Sequence, residues 1–364
     1  MGKLIPEGYK QTEVGVIPAD WDISALGDLV KIRSGESPSC LKFAGKGFPY
    51  FKVDELNNSE KFAAKTKYFI SAADKLVPKG SLIFPKRGAS IFQNKIRILK
   101  NDSYMDTNLM TLTVSDSISN EYCYYQLNYI GLSKVADTTS VPQINNKHIK
   151  PFNIPFPLQL EEQQAIATAL SDVDNLITSL EQLIEKKKAI KQGAMQELLT
   201  GRRRLPGFGE GKGYKQSELG MIPEDWEVKR LHELGEFQSG IGFPLYLQGK
   251  HQEVIPFYKV SDMNNNGNEV LMLNSNNYIS KKDLVKLRTT IVPRSSIVFA
   301  KIGAALFLER KRILLVDSLI DNNMMAIIAD IDNIDVKYLY YLLMNTKLSK
   351  NPLLHSVGKL LAKY

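Results

Sequence analysis

The chain has 364 residues, 43% of them hydrophobic and 24% charged, and its 47 Lys+Arg against 39 Asp+Glu give a net charge of +8. Such a length suits two or three folded units, and the composition excludes a disordered or fibrous chain. No apolar run approaches the roughly 18 residues of a membrane span, and the start MGKLIPEGYK lacks a signal-peptide core, so a cytoplasmic protein is expected.

The first feature along the chain is GYKQTEVGVIPADWDI at residues 8–23, which returns as GYKQSELGMIPEDWEV at 213–228 with ten of sixteen positions identical. It has no clear period and ends on a tryptophan, a residue that anchors chains by burial. A match of that length demands a search for a long internal repeat. The search succeeds: Ser34-Gly35 answers to Ser239-Gly240, and Phe51-Lys52-Val53 to Tyr258-Lys259-Val260. LIFPKRGA from Leu82 answers to IVFAKIGA from Ile297, DTNLM from Asp106 to DNNMM from Asp321, and Tyr122, Tyr124 and Leu127 to Tyr338, Tyr340 and Leu343. Blocks in the same order with different stretches between them describe one fold carrying two different surfaces.

Within each repeat, short apolar runs punctuated by Gly, Pro, Asn and Asp predict strands, and Tyr and Leu at steps of three and four predict short helices at 120–129 and 336–345. The expected class is α+β, with two similar domains of mixed, largely antiparallel sheet and short helices. The expected boundaries are 1–157 for the first domain, 158–201 for a helix, 202–212 for a linker and 213–364 for the second domain. Formal charge divides as +5, −3 and +6 over residues 1–157, 158–201 and 202–364. Two basic domains lean towards a polyanionic partner.

Candidate phosphate contacts are Lys86 and Arg87, and Lys301, each following a strand and preceding glycine, with Lys52 and Lys259 beside aromatics; ordinary solvated turns are the alternative. TTSVPQINNKHIK from Thr138 offers Ser140, Gln143, Asn145, Asn146 and Lys147 as hydroxyls, amides and charge able to read base edges, or else forms a plain polar loop. The aligned stretch of the second copy keeps Ser356, Val357 and Lys363 but loses the amides, so two DNA-reading copies would read different sequences.

Between the repeats, Ile166, Leu170, Val173, Ile177, Leu180 and Ile184 alternate steps of four and three, continued by Ile190 and Leu198, which is the heptad rule of a helix that packs on another helix. Glu161 and Glu162 at its start and Lys186, Lys187, Lys188 and Lys191 towards its end suit the helix dipole. A rod of that length either folds back on its own domain or spaces two domains and offers a docking seam.

Catalytic signals are absent. Cys40, Cys123 and the four histidines show no metal-ligand or disulfide spacing. Asn153-Ile154-Pro155-Phe156 approaches the N-P-P-F motif of adenine methyltransferases but carries Ile at the second position, and GFGEGKG from Gly207 lacks the phosphate-loop spacing.

The doubled lead-in, the connector PFNIPFPLQLEEQQAIATALS and the helix LEQLIEKKKAIKQGAMQELLTG together resemble the specificity subunit of type I restriction-modification systems over essentially the whole chain. That resemblance implies two target recognition domains, each reading half of a bipartite DNA sequence, separated by a coiled-coil-forming helix that binds methyltransferase subunits. Restriction subunits would complete the endonuclease. S-adenosylmethionine, ATP and magnesium would belong to those other subunits, leaving this chain without a cofactor or catalytic residue. The family carries a second conserved helix after the second domain, whereas this sequence stops at Tyr364, so the stripe is expected to pair with another chain. The competing expectations are a truncated or phase-variable donor allele with little activity alone, and a coiled-coil assembly protein.

Overall fold

A computed structural model describes residues 5–71 and 76–350. It divides into two compact units, Met1–Gln182 and Leu183–Tyr364, with the boundary inside the long helix. Each unit is built on a five-stranded sheet of the same order. In unit 1 the strands run Val30–Ser34, Leu109–Val114, Leu82–Pro85, Arg97–Leu99 and Phe62–Ala63; in unit 2 they run Gly235–Ser239, Met324–Ala329, Ile297–Ala300, Lys311–Leu314 and Leu271–Met272. All pairs are antiparallel except the last of each sheet, Arg97–Leu99 with Phe62–Ala63 and Lys311–Leu314 with Leu271–Met272. The class is the mixed, largely antiparallel α+β expected from the sequence.

The central strands Leu82–Pro85 and Ile297–Ala300 are buried at every residue. Both of their faces are covered, which is why they read as continuous apolar runs rather than alternating ones. In unit 1 the helix Asn120–Ile130 covers the sheet, with the Ser119 hydroxyl accepting the Tyr122 amide at its N-cap. Unit 2 uses Val336–Asn345 in the same way, with the Asp335 carboxylate accepting the Tyr338 amide. Both capping residues satisfy an amide that the first helical turn leaves unpaired.

The lead-in, which shows no period in the sequence, folds as a two-stranded hairpin in each unit: Tyr9–Thr12 with Gly15–Pro18, and Tyr214–Ser217 with Gly220–Pro223. The connecting residues are Glu13-Val14 and Glu218-Leu219, not an Asn-Gly turn, and the strands are too short to display alternation. Gly15 at φ 117° and Gly220 at φ 96° supply the backbone conformation that closes both turns.

One buried charge pair distinguishes the units. Asn94 (φ 48°) and Ile96 in unit 1 correspond to Glu309 (φ 52°) and Lys311 in unit 2. The Asn94 side chain accepts the Leu132 amide at 2.8 Å, and the Glu309 carboxylate accepts the equivalent Leu348 amide at 3.1 Å. Lys311, 1% exposed, donates to Glu309 at 2.5 Å and to the Thr346 carbonyl at 3.1 Å. Burial pushes the Glu309 carboxyl up, but hydrogen bonds from Lys311 and Ser349 outweigh it and hold the pKa at about 2. A carboxyl depressed on folding stabilises above its unfolded value and stops doing so as pH falls through its folded value. Unit 2 is therefore expected to lose stability, on the order of 1 kcal/mol after solvent screening, as pH falls from roughly 4.5 to 2. Lys311→Met should flatten that part of a thermal-stability profile against pH; an unchanged profile would refute the assignment.

The long helix spans Leu160–Leu198, 39 residues. Its apolar stripe is half-buried at Ile166 and Leu198 only, whereas Leu170 at 42%, Val173, Ile177, Leu180, Ile184 and Ile190 at 55% are exposed. The helix docks on unit 1 through a different face. Gln163 and Ala167 are buried, Ser171 accepts Lys61 Nζ at 3.0 Å, and Asp174 accepts the Tyr125 hydroxyl at 2.6 Å. The steps 163, 167, 171 and 174 make this a mostly polar face, held by hydrogen bonds and therefore silent in an apolar-period reading.

Candidate nucleic-acid interface

A shared frame lies at the ends of the central strands in both units. The Lys86 amide donates to the Asn108 carbonyl at 2.8 Å and the Lys301 amide to the Asn323 carbonyl at 2.9 Å. Asp106 Oδ1 accepts the Asn108 amide at 2.7 Å, and Asp321 Oδ1 the Asn323 amide at 3.0 Å. The amides of the same aspartates donate to Phe51 and Tyr258, the residues just before Lys52 and Lys259. The repeated block DxN is thus a turn that ties the lysine-bearing strand ends together through hydrogen bonds of ordinary length.

The frame's lysines are half-buried and partly engaged. Lys52 Nζ sits 3.9 Å above the Tyr68 ring, Lys259 Nζ donates to Gln248 Oε1 at 3.3 Å, and Lys301 Nζ donates to the Ser239 hydroxyl. Burial, then the neighbouring Arg87 charge, lowers the Lys86 pKa below its ordinary value, and Asp106 opposes that shift. These lysines are neither the fully solvated turns nor the fully free phosphate ligands that the sequence alone left open.

Only unit 1 adds a second layer within the described residues. The Gly88 amide donates to the Pro142 carbonyl at 2.8 Å, the Ile144 amide donates to the Lys86 carbonyl at 2.9 Å, and Arg87 bridges Gln143. Two candidate groups more than fifty residues apart in sequence are brought side by side. Asp137 and Gln143 exchange backbone bonds of 2.9 and 3.0 Å, closing a loop whose tip, residues 138–141, is exposed. Within the loop, Thr139 donates its hydroxyl and amide to Asp137 Oδ1, which holds that carboxyl below its usual range. Ser140 and Arg87 are exposed, Gln143 is half-buried, and Asn145 caps the short helix Asn146–Ile149, with Asn146 and Lys147 exposed on its first turn. His148 Nδ1 accepts the Asn145 amide at 3.2 Å, so this histidine is occupied structurally.

The sequence reading passed over Val141, 67% exposed at the loop tip between Ser140 and Pro142. No period marks it, because its exposure follows from the backbone closure at Asp137 and Gln143. Lys363, Ser356 and Val357 lie outside the described residues. Chemically, the arrangement presents cations beside a pinned loop of hydroxyls, amides and one apolar tip, which is a recognition surface. The stretch that approached a methyltransferase motif is instead the strand Asn153–Pro157, paired with Trp21–Ala25.

The model of the type I restriction modification DNA specificity domain matches residues 18–192 and again 223–360. The chain belongs to this family. The two matches of the specificity domain coincide with the two repeats whose frames are described above. The chain is 31% identical over 245 residues to the type I restriction enzyme MjaVIII specificity subunit of Methanocaldococcus jannaschii, covering 64% of this chain and 53% of that protein. It is also 31% identical over 268 residues to the putative MjaX specificity subunit of the same organism, covering 69% and 61%. The matched region therefore spans between half and two thirds of those relatives. A solved structure described for complex assembly and conformational transition of a type I R-M system shares the fold, with TM-score 0.54, 14% identity and coverage of 92% of this chain and 82% of that one.

Proposed function

We propose that this specificity-domain protein is a non-catalytic DNA-recognition subunit of a type I restriction-modification complex. Each unit reads one half of a split duplex target, and the long helix sets the spacing and docks methyltransferase subunits. Restriction subunits join that assembly, and S-adenosylmethionine, ATP and magnesium act on the partner subunits in the cytoplasm. The exposed stripe from Leu170 to Ile190 is where we place the partner helix, including one from a second copy.

The observation that carries the proposal is one frame repeated in both units, with a pinned polar loop beside it in unit 1. What both units share (the DxN turn, the glycine behind it and the strand-end lysine) suits sequence-independent phosphate contact. The loop from Asp137 to Gln143 beside Arg87 in unit 1, whose aligned stretch in unit 2 lies outside the described residues, suits base reading. The test is exchange of residues 30–150 for another recognition domain in the complex with methyltransferase subunits. One half of the methylated motif should change while the other half persists; methylation that stays the same at both halves overturns the proposal.

A second measurement checks the phosphate role separately. Lys86→Ala with Arg87→Ala should weaken duplex binding by the complex for all sequences alike, and the slope of log affinity against log salt should shrink by about 2. Unchanged slope with lost base preference would instead make these residues base readers.

A further inference from the structure

One turn is built the same way in both units. Residues 82–99 align without a gap with 297–314, so Gly88 answers to Gly303, Ala89 to Ala304, Ile91 to Leu306 and Phe92 to Phe307. After the strand-end lysine the chain passes through a left-handed glycine, φ 79° at Gly88 and 71° at Gly303, and closes a single helical turn, Ala89–Gln93 and Ala304–Phe307. No atom lies within 4 Å of a would-be Cβ on either glycine, so the backbone conformation, and not a close approach, calls for glycine there. The Ile91 amide donates to the Gly88 carbonyl and the Leu306 amide to the Gly303 carbonyl, both at 3.1 Å. The next bonds match as well: Asn94 to Ile91 and Glu309 to Leu306, again at 3.1 Å.

Each turn divides its apolar residues between core and surface. Ile91 and Leu306 are buried and pin it, whereas Phe92 is 57% exposed and Phe307 67%. A single exposed aromatic means little. Here the same ring recurs at the same place while exposed neighbours differ, Arg87 against Ile302 and Gln93 against Leu308. Ala89 and Ala304, three residues before the rings and on the same side of the turn, are exposed and too small to cover a ring. In sequence, cations flank the ring in both copies: Lys86 and Lys95 in unit 1, Lys301 and Arg310 in unit 2. The turn of unit 1 also adjoins the pinned polar loop through the bond from Gly88 to Pro142. A rigidly held ring between cations suits a polyanion that offers flat apolar faces, which is what stacked bases on a phosphate backbone present. An apolar pocket on a protein would not call for cations on both sides of the ring in both copies.

We propose that Phe92 and Phe307 are stacking residues, each inserted against the bases of the half-site that its own unit reads and partly unstacking one base step there. The inference rests on the DNA-recognition reading above and adds to it a ring that deforms the duplex. Such stacking tolerates any sequence, since every base has a π-face, and that fits a residue kept in two units with different surfaces. The rings would still favour half-sites that contain an easily unstacked pyrimidine–purine step.

The test uses the complex of the full chain with methyltransferase subunits and a duplex carrying the split motif that the complex methylates. 2-Aminopurine, whose fluorescence rises when it unstacks, replaces bases one at a time in each half, the methylated adenines excluded. Binding should brighten one step in each half. Phe92→Ala should abolish the signal in one half and leave the other, Phe307→Ala should do the reverse, and each should weaken binding roughly tenfold. Phe92→Trp should keep the signal, and its added indole emission should be quenched on binding. Melting curves identify an alanine variant that fails to fold, in which case the quenching of Phe92→Trp carries the test, and emission unchanged by duplex overturns the inference. A methylated motif with no brightened step, or brightening that survives both alanine variants, overturns the inference and leaves DNA recognition standing. Alanine variants that bind duplex normally but lose the methyltransferase subunits also overturn it, because the rings would then face protein. A complex that methylates no split motif removes DNA recognition itself, and the inference with it.

Discussion

Replacing Gly35 by alanine is expected to lower the melting temperature of unit 1 by roughly 6–12 °C, the equivalent of about 3 kcal/mol in a domain of this size. A Cβ on Gly35 would lie 1.7 Å from the Asp106 carbonyl oxygen and 2.6 Å from that of Met105. The obstacle is backbone held in the DxN turn by the bonds from Asn108 and to Phe51, so no rotamer change relieves it. The strand end has to separate, and the turn that positions Lys52 and Lys86 separates with it. Gly240 meets the same obstacle, with the Asp321 carbonyl oxygen at 1.9 Å, so Gly240→Ala should act equally on unit 2. Gly45 has nothing within 4 Å of a would-be Cβ, and Gly45→Ala serves as the neutral control. Calorimetry on the three variants checks the prediction; equal melting of Gly35→Ala and Gly45→Ala would falsify it.

The second large effect belongs to Gln163. Its amide is fully buried and makes three hydrogen bonds, two that join the start of the long helix to the N-cap turn of Asn120–Ile130 and one to the Pro157 carbonyl of the preceding strand. Gln163→Ala leaves a half-buried amide hydrogen at Ser119 and a buried carbonyl at Pro157 without that partner, which costs roughly 1–3 kcal/mol. The first turns of the helix should then exchange amide hydrogens faster, while those beyond Leu183 stay as they were. Gln163→Glu keeps the acceptor and loses the donor, so its effect should be intermediate. The neighbouring Gln164 is exposed, and Gln164→Ala should be silent. Hydrogen exchange of residues 160–175 in the three variants distinguishes these outcomes; uniform exchange would mean that the other contacts, Trp21 with Glu162 and Tyr125 with Asp174, suffice to dock the helix.

Several features were legible in the sequence because they depend on local chemistry repeated in order. The two domains follow from blocks that recur with small offset drift. The short helices at 120–129 and 336–345 follow from aromatic and leucine spacing, and the structure gives Asn120–Ile130 and Val336–Asn345. The long helix follows from its heptad stripe and the absence of proline after Pro157, and ends at Leu198 just before Gly201. The lead-in hairpins were hidden, because four-residue strands joined by Glu-Val or Glu-Leu carry neither period nor turn signature.

The candidate interface was legible as residue types and not as an arrangement. Lys86, Arg87 and Gln143 stand out as cations and an amide, but nothing in the order of residues says that the backbone of Gly88 meets that of Pro142. The same limit applies to Lys311, a buried cation that the sequence presents as one more basic residue in a basic domain. Its burial depends on Glu309 lying in the left-handed conformation that Asn94 adopts in the other unit.

The sequence by itself determined the repeat, the α+β class, the helix between the units and the family resemblance, because periodicity, breakers and copied motifs act over short separations. Only the tertiary structure decided which helix face docks on unit 1, which lysines are engaged, and that Arg87 and Gly88 lie against Gln143 and Pro142. Those outcomes rest on hydrogen bonds and close backbone approaches between residues distant in sequence, and polar pairing of that kind leaves no period to read.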